Sequence, residues 1–82
     1  MVRLKLSTGR EIDVNWINTL TGGGVMLEMK DTLTIAQAAE MFEGAAKIET
    51  TEEPKRTFAG YSAIESIAHR GGMIHVILRE EA

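Results

Sequence analysis

The residues best suited to chemistry lie in one short stretch, Ala68-His69-Arg70-Gly71-Gly72-Met73-Ile74-His75-Val76, which holds both histidines of the chain. Imidazole is the usual general base and the commonest metal ligand. A zinc site wants three or four ligands, and Glu65 is the nearest carboxylate to add to His69 and His75. Geometry decides whether the pair can cooperate. If Gly71-Gly72 is a two-residue turn, Ala68 faces His75, His69 faces Ile74, and the histidines point to opposite faces. If Arg70-Gly71-Gly72 is the loop, His69 faces Met73 and Ile67 faces His75. The histidines then sit diagonally on one face, about 7–8 Å apart. Their neighbours would be Met73, Ile67 and Ile77, which make poor supporting partners for a metal.

Other chemistries fare worse. Ser7, Ser62 and Ser66 are the serines, and none sits in a nucleophile elbow or beside a base. Glu49, Glu52 and Glu53 could pair as acid and base, but no apolar sequence surrounds them to raise a pKa. Gly22-Gly23-Gly24 looks like a phosphate loop until its context is read. A phosphate loop has Lys-Ser/Thr after its glycines and precedes a helix, whereas here a strand pattern follows. Lys55, Arg56, Phe58, Tyr61 and Arg70 are the material for a nucleic-acid face, with two rings to stack on bases. The sequence therefore assigns no catalytic residue, no metal ligand and no cofactor, and it reads as a non-enzymatic chain.

Composition narrows the remaining classes. The chain has 82 residues, room for one domain spanning 1–82. A domain this small leaves much surface unburied and gains from assembling with copies or partners. It has no cysteine, which removes disulfides and thiolate metal sites. Nine basic residues against twelve acidic give a net charge of −3. That balance argues against a general nucleic-acid binder, which needs a basic face. There is no apolar run of membrane length and no leader pattern, so a soluble, cytoplasmic product with no membrane partner is expected.

The elements that must position these residues follow from patterning. Val2 to Leu6 and Glu11 to Trp16 alternate on either side of Gly9. A Ser7-Thr8-Gly9 loop places Leu4 opposite Ile12, Val2 opposite Val14, Lys5 opposite Glu11 and Arg3 opposite Asp13. One face is then apolar, and the other carries two ion-pair matches. Trp16 continues the apolar face. Val25 to Lys30 alternates as a further strand. Thr34 and Gln37 form a capping box for a helix over about 35–43, with Ile35, Ala38, Ala39 and Phe42 as its buried stripe and Gly44 as its stop. Ala46 to Thr51 and Lys55 to Ala59 make a hairpin turned by Glu53-Pro54. Ser62 to His69 reads as strand or as a helical turn, with strand preferred, and Met73 to Arg79 as a last strand, apolar on both faces. The fold class is α+β: a mostly antiparallel sheet of 6–7 strands, twisted or rolled, with one short helix.

Two features carry a resemblance. One is the opening strand-Gly-strand. The other is the mid-chain helix ending in Met41-Phe42, followed by Thr57-Phe58-Ala59-Gly60-Tyr61-Ser62 and the final Gly-Gly-x-Ile-x-Val-x-Leu-Arg strand. This pattern resembles small proteins encoded by phages and prophages of Gram-positive bacteria among their virion-assembly genes. The resemblance implies a structural role in tail or baseplate assembly, a virion-associated location and a protein partner, either self or another assembly component. The expected contact surface is Ile67, His69, Met73, His75 and Ile77, and the alternative is a small nucleic-acid-binding regulator using the basic and aromatic residues above.

Overall fold

The opening hairpin forms as charge and alternation dictate. In the computed structural model, which describes residues 2–30, 32–43, 47–51, 55–61 and 63–80, β1 (Val2–Leu6) pairs antiparallel with β2 (Glu11–Val14). The register is Val2↔Val14, Arg3↔Asp13, Leu4↔Ile12 and Lys5↔Glu11, as expected. Gly9 closes the three-residue loop at φ +91°, a conformation that costs other residues a backbone penalty. Its N–H donates to the Leu6 carbonyl at 2.9 Å, and the Leu6 N–H donates to the Arg10 carbonyl at 2.8 Å.

The described residues form eight strands rather than the six or seven expected. After β2 come β3 (Trp16–Leu20) and β4 (Gly24–Lys30), then α1 (Ile35–Phe42), β5 (Lys47–Thr50), β6 (Thr57–Ala59), β7 (Ala63–Arg70) and β8 (Met73–Arg79). The strand missed in sequence is β3. The chain does not run on from β2 with one apolar face. It bends at Asn15 and leaves one sheet for another. Val14 and Ile17 both point into the core, with two residues between them, so the alternation slips by one. Trp16, expected on the inner face, consequently lies on the outer one.

Two four-stranded antiparallel sheets result, ordered β2-β1-β5-β6 and β3-β4-β8-β7. Their edge strands are consecutive in the chain at both seams, β2 into β3 and β6 into β7. Strands that switch sheets at a bend are the usual corners of such packings. The inner faces share one core that includes Leu4, Leu6, Val14, Ile17, Leu27, Ile48, Ile74, Val76 and Leu78. Each large apolar side chain buried this way contributes about 1.5–3 kcal/mol.

The helix is placed by its cap. The Gln37 N–H donates to Thr34 Oγ1 at 3.1 Å, and the Thr34 N–H donates to Gln37 Oε1 at 2.9 Å, completing the capping box. The helix lies against β7 and buries Ala38, Met41 and Phe42. Ile35, expected in that stripe, is 47% exposed. Its turn is the first of a helix only eight residues long, and the buried stripe is rotated toward Met41. The helix ends at Phe42 with Glu43 as its C-cap; the expected stop at Gly44 lies outside the described residues, as does the Glu53-Pro54 turn. Ser62 apart, which also lies outside them, the 62–69 segment is strand and not a helical turn. A bulge at Glu65 shifts its register on β8. The three glycines are the β3–β4 turn and its exit, with Gly22 and Gly23 at positive φ, and a strand follows them.

Candidate interaction face and corner cleft

The outer face of the second sheet is organised around Glu28. This residue stands in β4 between Leu27 and Met29, both buried, and the registers align Trp16, Glu28, His75 and Ala68 in one row across four strands. A carboxylate in so apolar a strand needs partners. The Asn15 side-chain amide donates to Glu28 Oε1 at 2.9 Å, and His75 Nε2 lies 2.8 Å from Glu28 Oε2. These bonds, the Asn15 one first and the His75 one next, hold the Glu28 pKa below its ordinary 4.5. An ionised carboxylate only accepts, so Nε2 carries the hydrogen. His75 Nδ1 is buried and meets no partner among the described residues. One ring nitrogen is thus engaged and the other enclosed, a geometry that orients the ring. The Trp16 ring sits 6.2 Å from it, centroid to centroid, tilted by 39°.

The corner residue Asn15 ties this row to the one on one side, which holds Lys30, Met73 and Arg70. Its side-chain amide nitrogen also lies 3.4 Å from Met73 Sδ, and its backbone N–H donates to the Glu28 backbone carbonyl at 2.7 Å. The row on the other side holds Asn18, Met26, Ile77 and Ser66. Met26, Met73 and Ile77 are half-buried, because only side chains of their own sheet cover them. Charge closes the two ends of the face. Arg79 Nε pairs with Glu65 at 3.1 Å at one end, while Lys30 and Arg70 flank Met73 at the other by register.

The five residues expected to form a contact surface do not share a face. Gly71-Gly72 is the two-residue turn, with His69↔Ile74, Ala68↔His75 and Ile67↔Val76. Ile67 and His69 therefore follow the inner row, while Met73, His75 and Ile77 are on the outer face. The histidines point to opposite sides of the sheet and cannot hold one ion together. The alternative nucleic-acid residues are also dispersed. Phe58 pairs with Ile48 and is buried in the core, so it offers no ring to a base. Tyr61 packs edge-on against it at 6.4 Å, and Arg56 lies 5.6 Å from its centroid. Lys55 is exposed beside them, whereas Arg70 belongs to the other sheet.

Sequence reading passed over Asn15, Trp16 as an outer residue, and Glu28. One signal was present: Glu28 is the only ionisable residue in the run Val25–Met29, and such a residue in a buried strand must be paired.

A cleft of about 470 Å³ opens at the same corner, lined by Ile12, Asp13, Asn15, Met29, Lys30, Thr32, Leu33 and Met41. Among the described residues no group of three or more His, Cys, Asp or Glu is placed to hold a metal ion, and no helix is long and apolar enough to cross a membrane. No family model, curated protein or solved structure was found to match the chain.

Proposed function

We propose that the protein is a non-enzymatic docking module that joins a larger protein assembly through the outer face of β3-β4-β8-β7. The observation that carries this is the row Trp16–Glu28–His75. An aromatic ring, a fixed imidazole and a satisfied carboxylate are held rigid between the half-buried Met26, Met73 and Ile77. Rigid aromatic anchors set among apolar neighbours are what binding hot spots are made of. Charge complementarity selects the partner. Lys30, Arg70 and Arg79 outnumber Glu28 and Glu65 on this face, although the whole chain carries −3. A second copy of the same face would set cations against cations. The occupant that fits is a protein surface with an apolar centre and a rim of carboxylates. The resemblance to phage virion-assembly proteins makes a tail or baseplate component the partner to try.

The test is co-expression with the products of the genes beside its own. The expected result is co-elution with one of them, lost on Ile77→Asp while the far-ultraviolet circular dichroism is kept. If no neighbouring product co-elutes, or if Ile77→Asp co-elutes as the parent does, the reading is wrong. The nucleic-acid alternative would instead give a salt-dependent gel shift.

A further inference from the structure

We propose that the corner cleft is a binding site for a small apolar carboxylic acid, beside the docking face and sharing Lys30 and Asn15 with its edge. The floor is apolar, with Met29 and Met41 nearly buried and Ile12 and Leu33 partly so. Two thioethers in one floor suit irregular apolar bodies, since methionine is unbranched and polarisable. The volume, about 470 Å³, is in the range of ligand clefts.

The polar groups on its rim select the ligand's head. Each can be checked for bonding capacity already spent. Asp13 is already paired with Arg3, at 2.9 Å from Nε to Oδ1 and 3.3 Å from Nη2 to Oδ2, which offsets its charge and lowers its pKa. The two hydrogens of the Asn15 amide go to Glu28 and Met73. The donors that remain are the Lys30 ammonium, with no ion-pair partner among the described residues, and the Thr32 hydroxyl two residues on. Both donate. A carboxylate on an apolar body matches those donors and a cation that has no ion pair among the described residues, and a charge-assisted bond to Lys30 is the stronger of the two contacts. An amine would meet Lys30 as a like charge, and an alcohol would forgo the charge.

The site can be tested on the intact protein with hexanoate, hexanol and hexylamine as probes, following ¹³C-methyl methionine resonances. Met29 and Met41 report the cleft, and Met26 on the outer sheet face is the control. Hexanoate is expected to shift the Met29 and Met41 signals saturably, to leave Met26 unmoved, and to bind about tenfold more weakly to Lys30→Met. Hexylamine is expected to shift none. Lys30 is exposed, so its replacement spares the fold. The proposal is overturned if hexanol binds as tightly as hexanoate, if Met26 shifts with the others, if Lys30→Met binds hexanoate unchanged, or if no saturable shift appears up to about 10 mM, where a ligand this small binds if it binds at all.

Discussion

The outer faces of the two sheets use the same device to different ends. On β2-β1-β5, oppositely charged side chains pair in the open. Arg3 meets Asp13 at 2.9 Å with the two side chains 53% and 45% exposed, and Lys47 meets Glu49 at 2.9 Å with similar exposure. On β4-β8 the cross-strand pair is Glu28 with His75, at 2.8 Å and only 18–21% exposed. The first face is complete in water, since Arg3–Asp13 and Lys47–Glu49 pair within the chain and solvent screens the rest. The second face has its polar atoms tied down and its apolar atoms left half-covered. An exposed ion-pair ladder keeps a sheet soluble, whereas a desolvated pair among methionines and a tryptophan prepares a surface for contact.

The largest effects should show where the two sheets are alike. Leu4→Ala and Leu27→Ala empty equivalent inner positions, both fully buried, and each is expected to lower the unfolding free energy by about 2–5 kcal/mol in urea titrations. If hydrogen exchange showed one sheet protected while the other opened, the single shared core would be refuted. Next is Gly24→Ala. A Cβ there would lie 2.9 Å from Arg79 Nη1, which can swing aside, and 3.3 Å from the Leu78 carbonyl, so the cost is expected at the low end for overpacking, about 1 kcal/mol. The Arg79–Glu65 pair should loosen with it, read as a shift of the Glu65 carboxyl resonance.

Smaller effects separate the outer faces. Glu28 and Asp13 both have lowered pKa values. A carboxyl with a depressed folded pKa adds stability that is full above its ordinary unfolded value and is lost as pH falls through the folded one. Stability should therefore decline on acidification below about pH 4.5, the ordinary Glu value. Urea midpoints against pH should flatten in Glu28→Gln and in Asp13→Asn. The two differ in salt. Asp13 is held by a guanidinium in water, so high salt should erase its share. Glu28 is held first by a neutral amide, so its share should persist. Equal salt sensitivity would collapse the comparison. The least change of all is expected for Arg3→Met at high salt, where its urea midpoint should match the parent's.

Local signals were readable and distant ones were not. The first hairpin register followed from charges six and ten residues apart, and the helix start from Thr34 and Gln37. The last turn was reduced to two registers, between which the sequence offered no charge match to choose. Trp16–Leu20 was missed because its alternation is out of phase with β2, and a pattern read straight through Asn15 averages the two phases. The Glu28–His75 bond joins residues 47 apart, so no spacing rule reaches it. The cleft depends on Met41 of α1 coming together with Ile12 of β2 and Met29 of β4, which only the assembled fold determines.

The phase slip at Asn15 also predicts how this gene can change over time. One residue added or lost between Val14 and Ile17 would turn every later position of β3 over, putting Ile17 outside and Asn18 in the core. The Thr21-Gly22-Gly23 turn, exposed and outside the strands, imposes no such count. Among related genes, length variation should therefore collect at the glycine turn and be purged at the corner, so that the spacing from Val14 to Ile17 outlasts the identity of the residues within it.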